Sequence, residues 1–109
     1  MLPKASRLTS KEIEALSLGK TVFSGPISLR FVTQKETKFS ISVSKKTLKR
    51  AVDRNRLRRK IYSALEIPIK KIKTAAYVML MPKKECLDVK NEVLSTELEK
   101  LFEKAGFMR

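Results

Sequence analysis

Two short stretches in the first half of the chain alternate apolar with polar side chains: Ile27-Ser28-Leu29-Arg30-Phe31 and Phe39-Ser40-Ile41-Ser42-Val43. A period of two is that of a strand buried on one face. Ile27, Leu29, Phe31, Phe39, Ile41 and Val43 are therefore expected in the core, with Ser28, Arg30, Ser40 and Ser42 on the opposite, less apolar face. Thr21 to Ser24 is expected to add a strand before them, and the β-prone apolar run Ala75 to Met81, closed by Pro82, supplies another. Helical signals surround these strands. Thr9, Ser10 and Glu12 form a capping-box pattern ahead of a short helix bearing Ile13, Leu16 and Leu18, with Gly19 as its stop. A basic segment runs from Ser44 to Leu65 and is ended by Pro68. Wound at about 100° per residue, it places Leu57, Ile61, Ala64 and Leu65 on one face and Asn55, Arg56, Arg59 and Tyr62 opposite, with Arg54 nearer the apolar side and Arg58 on its flank. A last helix carries Val93, Leu94, Leu98, Leu101, Phe102 and Ala105 on one side, with Gly106 as terminator. The predicted order is αβββαβα.

At 109 residues, 42% of them hydrophobic, the chain is expected to form a single domain over residues 1–109 with one modest core. No repeat, low-complexity tract or linker divides it. No stretch is long and apolar enough to span a bilayer, and the opening MLPKASRLTSKE has no apolar region of signal-peptide type, so a cytoplasmic protein is expected. Its lone cysteine, Cys86, leaves no internal disulfide, and with no histidine there is no zinc site to be read. Cys86 is expected to be a partly buried small residue.

Charge changes the picture most. The formal net charge is +14, large enough that self-repulsion opposes compaction and attracts polyanions. It is also concentrated: residues 35–73 hold fourteen Lys/Arg against three acids, whereas residues 74–109 hold six of each. Between Lys45 and Leu65 nine basic residues accompany one acid, Asp53. A solvated helix face mixes signs so that acids and bases pair at i,i+4; this one does not. An external polyanion relieves such repulsion, and arginine forks flanking an asparagine offer bidentate phosphate contacts beside a neutral donor and acceptor for a sugar or base edge. Lys45, Lys46, Lys49, Arg50, Arg54, Asn55, Arg56, Arg58 and Arg59 are the candidate residues for binding RNA or DNA. A protein nuclease would need metal-binding carboxylates or a histidine base. The basic third offers only Glu36, Asp53 and Glu66, so neither catalytic residues nor a protein metal site is expected.

The run Ser44-Lys45-Lys46 followed by Arg50-Ala51-Val52-Asp53-Arg54-Asn55-Arg56-Leu57-Arg58-Arg59 resembles the signature of the bacterial ribonuclease P protein family, whose central helix carries an Arg-Asn-Arg motif. Arg7-Leu8 before the first helix, Gly19 after it, Lys38 opening the third strand and the element order extend the likeness over nearly the whole chain. The sequence departs from the family pattern at Ser40, where glycine is common, at Tyr62, where a basic residue often stands, and on the first helix, which offers Ile13 and Leu16 in place of aromatics.

The resemblance implies an α+β two-layer sandwich: a mixed four-stranded sheet with helices on one side and a left-handed βαβ crossover, against the general right-handed rule. It implies a subunit that binds the ribonuclease P RNA and the 5′ leader of precursor tRNA, the RNA and its Mg2+ ions carrying out hydrolysis. It further implies a leader cleft beside the basic helix, for which Arg30, Ser42, Lys46 and Arg59 are candidates, Ile13 closing one side. The protein alone is expected to be monomeric and to have no membrane partner. The readings weighed against this one are a structural, ribosomal-type RNA-binding protein of similar fold, a DNA regulator, for which no helix-turn-helix is found, and an independent endonuclease.

Overall fold

The computed structural model describes Glu12, Glu14, Leu16 and residues 19–108. Its strands are β1 (Lys20–Ser24), β2 (Ile27–Thr33), β3 (Lys38–Ile41) and β4 (Ala76–Pro82), and its long helices are α1 (Ala51–Leu65) and α2 (Asn91–Lys104). Short 3-10 turns at Pro68–Lys71 and Lys84–Asp88 lie between them. The expected capping residues Thr9 and Ser10 and the side chains of Ile13 and Leu18 lie outside the described residues; Glu12 and Glu14 are helical.

The sheet is mixed and four-stranded, in the order β1-β2-β4-β3. β1 and β2 form an antiparallel hairpin, β2 pairs antiparallel with β4, and β3 runs parallel to β4. Parallel neighbours need a crossover, and α1 supplies it. Alternation in the sequence becomes burial as expected: Ile27, Leu29, Phe39, Ile41 and Val43 are buried, and Phe31 packs at the edge of the same cluster. β4 is apolar throughout, yet only Ala76, Val78, Leu80 and Pro82 are buried, so Tyr77, Met79 and Met81 lie on the other face.

The helices cover the core face. Leu57, Ile61, Ala64 and Leu65 of α1 and Leu94, Leu98, Leu101 and Phe102 of α2 are buried together with the core residues of the strands. Phe107 lies between Phe102 and Phe31, its ring centroid 5.9 Å from the first and 5.0 Å from the second, which it meets edge-on. The end of α2 explains why Phe107 is there. Gly106, at φ +83°, closes the helix: its N–H donates to the carbonyl of Glu103, and that of Phe107 to Phe102, two bonds that turn the chain back onto the core. Gly19 answers a different need, since a Cβ there would sit 2.2 Å from the carbonyl oxygen of Phe31.

Four expectations need correction. The basic segment is not one helix from Ser44: Thr47 and Leu48 donate backbone N–H groups to the Ser44 carbonyl, Thr47 also to the Ser44 hydroxyl, and this single turn stops before α1 begins at Ala51. The serine hydroxyl competes for the N–H groups that a helix start would use. Val93 is exposed, because at about 100° per residue it stands well over 90° from the centre of the stripe formed by Leu94, Leu98, Leu101 and Phe102. Tyr62 is not wholly on the outward face; its ring packs against the core from the flank of α1. Cys86 is fully rather than partly buried.

Candidate nucleic-acid interface

The basic residues fall on two adjoining elements. Lys45, Lys46, Lys49 and Arg50 are exposed on the loop after β3, and Asn55, Arg56 and Arg59 are exposed on the outward face of α1, opposite its buried leucines. The loop is held to the sheet by the N–H of Ser42, which donates to Leu80 O at 2.8 Å, and to the helix by Arg54. Arg54 Nη1 donates to the carbonyls of Leu48 at 3.0 Å and Lys49 at 2.8 Å. Its guanidinium is a brace for the backbone that presents Lys46 and Lys49.

The remaining arginines are organised more loosely. Arg50 grips Asp53 with two nitrogens, at 2.9 and 3.3 Å, and Arg56 approaches the same carboxylate only to 3.8 Å. The hydrogen bond from Arg50, with the charges of Arg50 and Arg56, holds the Asp53 carboxyl below its ordinary range despite some desolvation. In the first turn of α1 this carboxylate also faces the positive end of the helix dipole. Arg58 donates to the Asn55 side-chain oxygen at 2.5 Å, which turns the asparagine amide nitrogen outward as a donor. Lys60 is not a peripheral charge, because its ammonium donates to Leu87 O at 2.7 Å and ties α1 to the 3-10 turn before α2. Single acid, several forks, one asparagine donor: the surface suits a chain of phosphates.

The five cleft candidates are spread across layers. Arg30 and Ser42 share the face of the sheet that α1 and α2 leave open, Lys46 stands on the loop leaving that face, and Arg59 projects from the outward side of α1. The side chain of Ile13 lies outside the described residues. Arg30 does not simply point to solvent: its Nε donates to Leu16 O at 2.6 Å and its Nη1 to the Thr21 hydroxyl at 3.0 Å. The sequence reading missed Tyr77, Met79, Met81 and the 65% exposed Phe23 on this open face. The strand register gives the signal: Phe23 is opposite Ser28, and Met81 opposite the same serine from β4. β4 carries apolar residues on both faces, which conceals the alternation.

Among the described residues no three or more carboxylate, thiol or imidazole groups come together to hold a metal ion, and no helix is long and apolar enough to cross a membrane.

A mixed sheet with a helical layer on one face and a basic loop-helix surface at its edge defines a small α+β protein built to meet a polyanion. The family model for ribonuclease P matches residues 2–106, and the chain belongs to the ribonuclease P protein family. It is 34% identical over 113 aligned positions to the ribonuclease P protein component of Rippkaea orientalis, across 95% of this chain and 89% of that one. Among solved structures it is similar to the RNase P protein of Staphylococcus aureus, with a TM-score of 0.78 at 22% identity, covering 97% of this chain and all of that one. The RNase P protein of Thermotoga maritima gives 0.77 at 18% identity over 90% and 96%. The fold expected from the sequence, α+β with a mixed four-stranded sheet, is the fold of these proteins.

Proposed function

We propose that this protein is the RNA-binding subunit of a ribonuclease P holoenzyme, binding the catalytic RNA through the surface formed by Lys45, Lys46, Lys49, Arg50, Arg54, Asn55, Arg56, Arg58 and Arg59, and assisting removal of the 5′ leader from precursor tRNA. The observation that carries it is the concentration of nine basic residues with one acid on a loop and helix that adjoin the open sheet face. The whole chain acts as one RNA-binding domain, monomeric before assembly and at work in the cytoplasm. The leader lies along the open face, with Arg30 at its floor and Ser42, Lys46 and Arg59 along one side. The Mg2+ ions that activate water are held mainly by the RNA in the holoenzyme. What the protein contributes is charge neutralisation and position. Reconstitution with a bacterial ribonuclease P RNA and precursor tRNA tests this. Cleavage is expected only when RNA and protein are both present at low magnesium, and assembly is expected to weaken steeply with salt, log K falling linearly with log[salt] as phosphate counterions are released. Cleavage by the RNA-free protein after nuclease controls, or a flat salt dependence, would overturn it.

A further inference from the structure

The open face of the sheet carries a feature that phosphate binding does not explain: an acid turned toward it. Glu12 Oε2 lies 2.7 Å from the ammonium of Lys38, both side chains only 17% exposed, and the same carboxylate raises the pKa of the neighbouring Tyr77 phenol. Lys38 and Tyr77 are paired across β3 and β4, so the two strands meet Glu12 side by side. One turn along, Arg30 of β2 holds Leu16 O at 2.6 Å and is itself steadied by Thr21 of β1. Leu16 is 2% exposed, and its carbonyl also receives the N–H of Gly19. Arg30 of β2 and Lys38 of β3 thus fix Leu16 and Glu12 over the same face, with Thr21 of β1 behind Arg30 and Tyr77 of β4 beside Lys38. In so basic a chain a bare carboxylate here would repel a phosphate backbone lying alongside; Lys38 neutralises it where it stands.

We propose that Glu12, Lys38 and Tyr77 form a clamp that sets one wall of the leader cleft and cancels the charge of Glu12 toward the RNA, making Lys38 and Tyr77 positioning residues for leader recognition. This rests on the leader reading given above. The ion pair raises the pKa of Lys38, through its hydrogen bond with Glu12 first, and the carboxylate of Glu36, 3.9 Å from the same ammonium, adds to the shift.

The test uses the reconstituted holoenzyme with Lys38→Met, Lys38→Arg and Tyr77→Phe. KM and kcat are measured for precursor tRNA, and affinities for precursor and for mature tRNA are compared. The preference for precursor is expected to fall about tenfold in Lys38→Met and about threefold in Tyr77→Phe. The loss should appear in KM with kcat retained, mature tRNA binding and RNA assembly should match the wild type, and Lys38→Arg should restore the preference. A merely structural role would lower thermal stability and weaken both tRNA species together. If the wild type prefers precursor and Lys38→Met keeps that preference, or if Lys38→Arg behaves as Lys38→Met, the clamp is overturned and the leader reading stands. If the wild type shows no preference for precursor, the leader reading fails and the clamp with it.

Discussion

Arg54 lies inside the Arg-Asn-Arg motif, yet the geometry separates it from Arg56. Its one terminal nitrogen holds the carbonyls of Leu48 and Lys49, the first partly buried and the second exposed, whereas Arg56 reaches only a 3.8 Å contact with Asp53. Arg54→Ala removes both bonds and releases the loop that carries Lys45, Lys46 and Lys49. A hydrogen bond from a charged donor to a partly buried acceptor is worth about 1.5–3 kcal/mol, and an exposed one adds between nothing and about 1 kcal/mol because water replaces it. The expected loss is therefore about 2 kcal/mol. With a urea slope of about 1–3 kcal/mol per molar, such a loss lowers the unfolding midpoint by about 1 M without changing the slope. Arg56→Ala, an exposed change, should stay within about 0.5 kcal/mol of wild type. Both variants should assemble less well with the RNA, by different routes. Hydrogen exchange separates the routes, because the amides of Thr47 and Leu48, bonded to Ser44 O, should exchange faster in Arg54→Ala and at wild-type rates in Arg56→Ala. Equal midpoints for the two variants, with unchanged exchange in the loop, would refute the brace.

Other substitutions divide in the same way. Arg56→Lys keeps the charge but loses the planar fork, so holoenzyme assembly should weaken while the melting temperature is unchanged, whereas Lys60→Ala, which frees Leu87 O, should show the reverse; titration against the RNA and thermal melts read both. Arg59→Ala should weaken binding of leader-bearing precursor more than that of mature tRNA, as measured by competition titration. Because the Asp53 carboxyl titrates below its ordinary value, its ionised form stabilises the fold at pH above about 4 and that contribution is lost as pH falls through its folded value; the stability difference between wild type and Asp53→Asn should vanish in acid, and a constant difference down to pH 2 would contradict it. Burial pushes the Cys86 thiol up to about 11, two units above its ordinary 9.0, so alkylation at pH 8 should be at least about a hundredfold slower in the native protein than after unfolding.

The architecture was legible wherever one face of an element is apolar. The alternation in Ile27–Phe31 and Phe39–Val43, the stripe of Leu57, Ile61 and Leu65, and the stop at Gly106 each encode burial directly, and each stands where the pattern puts it. Misreadings arose where side-chain chemistry overrides the pattern. Ser44 takes the backbone N–H groups of Thr47 and Leu48 for a local turn, and a run of polar residues has no hydrophobic period to reveal that the helix has not begun. The flank of a helix is equally silent, because Tyr62 has a ring long enough to reach the core from a position that a wheel assigns to solvent.

The candidate site was legible as charge and not as geometry, and the reason lies in what lysine and arginine can reach. A sequence shows that nine cations lie close together along the chain, but each long side chain has several partners within its span. Arg54 turns back to a carbonyl behind it, Lys60 crosses to Leu87, Arg30 reaches up to Leu16, and Lys38 finds an acid 26 residues away. Four basic residues are thereby committed to holding backbone or a carboxylate. Lys45, Lys46, Lys49, Arg56 and Arg59 are exposed and leave most of their donors to solvent. The division follows from burial: cations beside partly buried acceptors close internal bonds, because leaving those acceptors bare would cost more than the hydration the cation gives up. Net charge therefore overstates the phosphate contacts, and the salt slope of RNA assembly should count nearer the exposed set than the fourteen cations of residues 35–73.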